Sequence, residues 1–496
     1  FDDGYETMYN VVFPLLKAYN YPAVFAPVTG WLDTPANQKI AYADKMLDRS
    51  VFATWSQVKE MEQSGLVEIA SHTHNLHNGI NANPSGGQLP SVIAPEYKNG
   101  KYETEDAYKN RLKSDFTRTV QTLVNHIGKK PRVMVWPYGQ FNDVSVQIAR
   151  QAGMPHYFSL GEKIVNKVGD KHIGRLLLNA ETDLNTVKNY LDGIDESKQI
   201  QRVLHVDLDY VYDADKAQQA KNLDKLIDRI YRYGVTTVYL QAFSDPDGDG
   251  VADALYFPNK YLPVRDDIFG RIAWQLQTRA GVQVYAWMPV LAFDLRKGVK
   301  EAEYVIDSRT GKPSTKAYLR LSPYNKQNVE IIKSIYNDLS FYAKFNGILF
   351  HDDAFLTDFE GAEGDHAEGM VSPQAKQKTQ DLIQLTHQLT DALKPYFLRG
   401  SYSLKTARNL YASVITNPNA EEWLAQNLKT LTDNYDTTAI MAMPYMENEQ
   451  PISQKEAYQW FASLIENVKA QAPLEKVLFE FQAVNWRTQK PIPESE

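Results

Sequence analysis

Two adjacent carboxylates, Asp2 and Asp3, stand between Phe1 and Gly4, and a histidine-rich stretch, Ser71-His72-Thr73-His74-Asn75-Leu76-His77, follows the apolar run Leu66 to Ala70. Imidazole and carboxylate together can hold a divalent ion while leaving positions open for water and substrate. The chain has no cysteine, so thiolate sites, disulfide frameworks and cysteine nucleophiles are excluded together, and any metal must rest on these groups. Neighbouring side chains on a strand point to opposite faces, so Asp2 and Asp3 can divide their work, one binding metal and the other facing the attacking water. His72 and His77 are five apart. That spacing separates them by ~140° on a helix and puts them on opposite faces of a strand, so they converge only from an irregular turn. His74 has the better local parity with His72, and spacing alone leaves His74 and His77 both open. A third element, Trp136-Pro137-Tyr138-Gly139, ends another apolar run, where a rigid turn can present a backbone N–H to a reacting carbonyl.

A second set of carboxylates occupies the C-terminal half: Asp207 and Asp209, then Asp245, Asp247 and Asp249, then Asp352, Asp353 and Asp358, and finally Glu447. Two carboxylates flanking a glycosidic bond are what its hydrolysis needs, and Asp352, Asp353 and Asp358 contain the candidate pair, with acid and nucleophile unassigned. Asp207 and Asp209 would attract protonated sugar amines, and Tyr210, Phe243, Tyr318, Tyr445 and Trp486 could stack on sugar rings. The competing explanation is a solvated acidic rim. Asp245-Pro246-Asp247-Gly248-Asp249-Gly250 imitates the start of a calcium loop, but Tyr256 stands where the twelfth-position glutamate belongs, which sets calcium aside.

These residues need elements to position them. The pattern predicts helices over 9–19, 104–127 and 145–152, and strands over 22–28, 66–70 and 132–136. Helix and strand alternate, as in an α/β domain with a largely parallel sheet. The polar segment 192–199 reads as a linker, which divides the chain into domains 1–195 and 200–496. Beyond it, strands are predicted at 203–210, 236–243, 282–288, 347–350, 397–402, 439–443 and 477–481, separated by helical stretches. Seven such repeats predict a (β/α)8-like barrel with its last strand missing, and barrel active sites gather at the C-terminal ends of the strands.

At 496 residues, 23% charged and net charge −8, the chain has room for two cores and lacks the basic surface that nucleic acid demands. No apolar run is long enough to span a bilayer.

The ordered set Phe1-Asp2-Asp3-Gly4, Ser71-His72-Thr73 with His77, and Val135-Trp136-Pro137-Tyr138-Gly139 resembles the NodB-type polysaccharide deacetylases of carbohydrate esterase family 4. His205-Val206-Asp207-Leu208-Asp209-Tyr210 and Gly347-Ile348-Leu349-Phe350-His351-Asp352-Asp353 extend the resemblance to the biofilm deacetylases of poly-β-1,6-N-acetyl-D-glucosamine that carry a C-terminal glycoside-hydrolase-like barrel. The resemblance implies an N-terminal (β/α) deacetylase barrel lacking its first elements. It implies a divalent ion (zinc, nickel, cobalt or iron) on Asp3, His72 and His77, with Asp2 as general base. Trp136, Pro137 and Tyr138 are expected to meet substrate, the Tyr138 N–H serving as oxyanion donor. The general acid is expected in a segment before Phe1. Also implied are a periplasmic location, with an outer-membrane lipoprotein anchor as a further expectation, and an export porin as partner. The alternatives are a non-catalytic barrel that only holds polymer, and a different N-acetylated glycan such as chitin or peptidoglycan.

Overall fold

Short runs of β-branched and aromatic residues set between amphipathic helices become the strands of three parallel sheets among the described residues. The computed structural model describes residues 1–160, 165–179, 181–192, 200–314, 316–360, 371–399, 403–448, 450–485, 487, 488 and 490–493. The chain divides into two units. The first comprises Phe1–Ile200 with Ser340–Lys344 and Lys394–Ser403, and the second comprises Gln201–Leu339, Phe345–Leu393 and Leu404–Glu496. Residues 193–199 of the expected linker lie outside the described residues.

In the first unit β1 (Asp2–Asp3), β2 (Ala23–Pro27) and β3 (Val67–Ile69) pair in parallel, as do β4 (Val133–Val135), β5 (His156–Leu160) and β6 (His172–Arg175). A parallel bridge between Ser71 and Met134 joins the two triples. Among the described residues six α-helices accompany them: α1 (Phe13–Tyr19), α2 (Thr29–Leu32), α3 (Trp55–Gln63), α4 (Glu105–Ile127), α5 (Asp143–Gln151) and α6 (Leu184–Leu191). Thr54 and Asn142 close capping boxes at the starts of α3 and α5, satisfying amides that the helix cannot. Thr104 caps α4 at one end, and Gly128 ends it in the left-handed region at φ 76, a conformation that costs glycine nothing. The long α4 serves two clusters: Tyr108, Leu112 and Phe116 pack with Trp136 and Phe141, while Leu123 and Ile127 pack with Phe25 and Val58. Phe116 is fully buried, so truncating it to alanine would cost about 3–5 kcal/mol.

The second unit holds one sheet of seven parallel strands in sequence order: β7 (Val203–Val206), β8 (Thr237–Gln241), β9 (Gln283–Met288), β10 (Gly347–Phe350), β11 (Lys405–Tyr411), β12 (Thr437–Met441) and β13 (Val477–Glu480). The sheet curls far enough for side chains of its first and last strands to meet, His205 Nε2 lying 2.8 Å from Glu480 Oε1. Tyr239, Tyr285, Leu349, Ala407 and Ala439 form one of its buried clusters.

One expected strand is misplaced. The apolar run 397–402 is not in the sheet; its described residues belong to the first unit, and the strand is Lys405–Tyr411. Lys405, Thr406, Arg408 and Asn409 hide that strand from a hydrophobicity pattern. Arg408 is nonetheless fully buried, with its guanidinium donating to Ala354 O and Tyr435 Oη, as a buried cation requires.

Candidate active site

The N-terminal carboxylates and the histidine loop meet at the C-terminal ends of β1, β3 and β4. Asp2 and Asp3 do separate. Asp3 turns into the left-handed region at φ 72, and Gly4 after it sits at φ 106, a conformation that strains any residue with a Cβ. Asp3 Oδ1 then lies 3.4 Å from His72 Nε2 and 3.2 Å from His77 Nε2. All three ligand atoms fall within 4.8 Å of one another. His72 is 2% exposed, and its Nδ1 sits 2.7 Å from Val135 O. That contact assigns the ring proton to Nδ1 and leaves the Nε2 lone pair facing Asp3, the arrangement of a metal-binding imidazole. The donor set therefore fits a divalent ion. Between the open alternatives the structure selects His77, because His74 Nδ1 is taken by Thr29 Oγ1 at 2.9 Å.

Asp2 faces the other way, into a two-pronged pair with Arg175 Nη1 and Nη2 at 2.9 and 3.0 Å. Burial would raise its carboxyl, yet the Arg175 guanidinium holds it below the usual carboxylate range. Tyr42, on the hairpin strand Lys39–Tyr42, donates to Asp3 Oδ2 at 2.9 Å. Neither Arg175 nor Tyr42 is visible as a partner in the sequence. The one hint for Arg175 is its place at the end of the last strand of the unit.

The Pro-Tyr-Gly turn behaves as two halves. Tyr138 adopts φ 59 and is 44% exposed, its ring 4.6 Å from that of His77. Trp136 is fully buried among Phe116, Phe141 and Tyr157, and Pro137 is buried too. The expectation that Trp136 and Pro137 meet substrate is thus corrected: they pack beneath the turn, and Tyr138 alone reaches the surface. Non-glycine residues in the left-handed region cost on the order of 1–3 kcal/mol each and cluster at working sites. Asp3, Thr73 and Tyr138 are three of eight such residues among the described residues.

In the second unit Asp352 and Asp353 follow β10, but both are engaged. Asp353 is fully buried and accepts the amides of Val290, Leu291 and Ala292 at 2.6–3.0 Å. Asp352 accepts Tyr318 and Tyr411 hydroxyls at 2.9 Å and pairs with His351 Nδ1 at 2.8 Å. Burial opposes its charge, but His351 and the two hydroxyls bring its carboxyl below the usual range. Asp358 differs: it is half-buried, and no hydrogen bond reaches its carboxylate among the described residues. Asp209 is a structural hub, taking Ser244 Oγ, Tyr256 Oη, the Asp245 amide and Arg265, which removes it from the expected sugar-binding set. Asp207 remains half-buried, with burial and the neighbouring Asp209 and Asp245 carrying its carboxyl to about 6. Tyr318 is tied to Asp352, and Tyr445 is half-buried; Trp486 lies outside the described residues. An aromatic wall that the sequence only partly announced joins Phe243, Trp287, His351 and Tyr318, with ring centroids 5.3–5.9 Å apart.

Residues 1–157 match the polysaccharide deacetylase family, and residues 205–496 match hypothetical glycosyl hydrolase family 13. The poly-β-1,6-N-acetyl-D-glucosamine N-deacetylase of Escherichia coli (strain K12) is 39% identical over 510 residues, covering 98% of this chain and 75% of its own length. The PgaB (BpsB) glycoside hydrolase domain from Bordetella bronchiseptica has 41% identity and a TM-score of 0.54, covering 59% of this chain and 87% of that chain. A de-N-acetylase from Aggregatibacter actinomycetemcomitans has 65% identity over 38% of this chain and 73% of that one, with a TM-score of 0.38.

Proposed function

The chain belongs to the family of poly-β-1,6-N-acetyl-D-glucosamine N-deacetylases that carry a glycoside-hydrolase domain, and on that premise we propose how its residues divide the reaction. The observation that carries the proposal is the convergence of Asp3, His72 and His77 beside an Asp2 that Arg175 keeps ionised. Asp2 acts as general base, taking a proton from the water that attacks the acetamide carbon. Arg175 orients Asp2 and keeps its charge, and Tyr42 orients Asp3. The Tyr138 N–H donates to the oxyanion that develops on the carbonyl oxygen. A divalent ion bound at Asp3, His72 and His77 would polarise that carbonyl and acidify the water. The C–N bond then breaks as a proton reaches the leaving nitrogen, balancing the one Asp2 took from water, to give acetate and a free amine. Zinc, nickel, cobalt and iron all suit two imidazoles and a carboxylate.

Loss of acetyl groups from β-1,6-linked oligomers, read as free amine before metal depletion, after it and after re-addition of each ion, tests this reading. Activity that survives complete depletion would remove the metal from it. Chitin and peptidoglycan fragments in parallel decide the glycan.

For the second unit we favour hydrolysis of partly deacetylated polymer over mere binding. The support is Asp358, a half-buried carboxylate without a hydrogen bond among the described residues, in the same unit as the aromatic wall. Shortened oligosaccharides should appear from deacetylated polymer, and their absence would leave a holding module. A periplasmic location and transfer of polymer to an outer-membrane export porin accompany this reading through the motif resemblance; fractionation and co-purification test them.

A further inference from the structure

The loop between the two imidazoles does not take its shape from its own residues alone. Thr73 sits at φ 71, a conformation a β-branched residue adopts only when its surroundings impose it. The two amides that follow, those of His74 and Asn75, are both taken by one side chain. Asp115, midway along α4, accepts His74 N on Oδ1 at 2.9 Å and Asn75 N on Oδ2 at 2.7 Å. On the loop's other side, Thr29 N and Gly30 N take the carbonyls of Thr73 and His74 at 3.2 and 2.9 Å. The fit there is close enough that a Cβ on Gly30 would lie 2.1 Å from Asn75 Oδ1. His77 follows two residues after Asn75. A five-residue step between ligands therefore closes on one point only while the middle of the loop is gripped, and α4 supplies half of that grip.

We infer that Asp115 is a positioning residue for the metal centre: by clamping the His74 and Asn75 amides it sets the turn that brings His77 beside His72 and Asp3. This rests on the metal reading proposed above. Hydrogen bonds to an ionised acceptor are stronger than neutral ones, and a bidentate clamp fixes direction as well as distance. Burial pushes the Asp115 carboxyl up to about 6 against the pull of the two amides and Arg111, so its charge adds little to the fold itself. The inference stands on the two hydrogen bonds.

Zinc calorimetry on the metal-depleted full chain tests it with Asp115→Ala, Asp115→Asn and His77→Ala, alongside melting temperatures of the metal-free proteins. Asp115→Ala should weaken zinc binding about tenfold, the low end for residues that orient a ligand, while the metal-free protein, having lost the acceptor of two amides, melts somewhat lower but still folds. Asp115→Asn keeps one acceptor oxygen and should fall between. Saturating zinc should restore kcat in both variants with KM unchanged. Wild-type zinc affinity in Asp115→Ala, or in Asp115→Asn where the alanine variant does not fold, while His77→Ala loses zinc, would overturn the clamp alone. Wild-type affinity in His77→Ala would overturn the metal reading and the clamp with it.

Discussion

Asp3 and Asp353 are both carboxylates set where a parallel strand ends, and their surroundings put them to opposite uses. Asp353 is enclosed by backbone, with three consecutive amides directed at its oxygens. Asp3 has one oxygen on the Tyr42 hydroxyl and the other facing two imidazole nitrogens. An anion surrounded by amides is a structural post, because its lone pairs are spent on groups that cannot leave. One that shares its face with two imidazole nitrogens brings three donor atoms to a single point, and that convergence marks a site fit to hold a cation. A carboxylate after a strand is thus only a candidate, and the donors around it decide its use.

The sharpest way to break this comparison lies beside Asp3. Asp2→Asn should lower deacetylation about 10²–10⁴-fold, the usual contribution of a general base, while metal content stays at the wild-type level. Asp3→Asn should lose both. Metal analysis of the purified variants checks the split, and loss of metal from Asp2→Asn would end the assignment of separate roles.

Next in size is a stability effect. Asp353→Asn turns an NH2 toward amides that need an acceptor, and leaving buried donors unpaired costs about 1–3 kcal/mol each. Asp3→Asn, in the metal-free protein, keeps an oxygen for the Tyr42 hydroxyl and leaves no row of buried amides unpaired, so it should cost less, about 0.5–1.5 kcal/mol. Urea unfolding of both variants without metal would show the contrast, and equal losses would erase the distinction between post and site.

A smaller effect depends on pH. Burial would lower the His351 pKa, but Asp352 and Asp353 beside it carry it to about 10. A histidine that binds its proton more tightly when folded stabilises fully below its unfolded value of ~6.5, and that contribution fades as pH rises toward 10. Asp352 has the opposite sign: its carboxyl is depressed, so its contribution is present above ~4 and lost as pH falls. Unfolding of the second unit should therefore become easier on both sides of a plateau between ~4 and ~6.5. In His351→Gln the alkaline slope should flatten, and an unchanged slope would assign it to another group.

Much of this arrangement could be read in the residue order, for reasons that also explain what could not. The parallel strands and their helices announce themselves because their apolar runs are short, regular and punctuated. The pairing of His77 rather than His74 was undecidable from spacing, since it depends on a turn held by Thr29 and Asp115 from elsewhere in the chain. Arg175 lies 173 residues from Asp2, and only the order of strands in the sheet could bring the two together. Trp136 was expected to meet substrate because it shares a motif with Tyr138, but the left-handed turn at Tyr138 carries that residue to the surface and leaves Trp136 packed beneath it. The strand Lys405–Tyr411 was missed because its buried polar residues are satisfied by partners far away in sequence. In each case a local pattern reported a local property, and the misplaced residues owe their positions to contacts distant in sequence.

The smallest expected effect concerns the acidic residues that remain free to titrate in the second unit. Burial raises Asp207 and Asp245 to about 6 and Glu447 to about 7, so their charge is incomplete just below neutrality. A ring of carboxylates should favour polymer whose freed amines are protonated over fully acetylated polymer, and exposed charges act over only ~8 Å at physiological ionic strength. Lowering the pH from 7.5 to about 6 protonates the amines more fully, which by itself would strengthen attraction to any fixed negative surface. The same change neutralises part of the ring. If Asp207, Asp245 and Glu447 supply the field, the preference for deacetylated oligomers should shrink as pH falls, and Asp207→Asn should shrink it at pH 7.5 without altering binding of acetylated oligomers. Calorimetry with matched oligomers at the two pH values checks this. A preference that grows toward pH 6 would place the attraction on carboxylates of ordinary pKa, such as those of an exposed rim, and not on the half-buried ones at the strand ends.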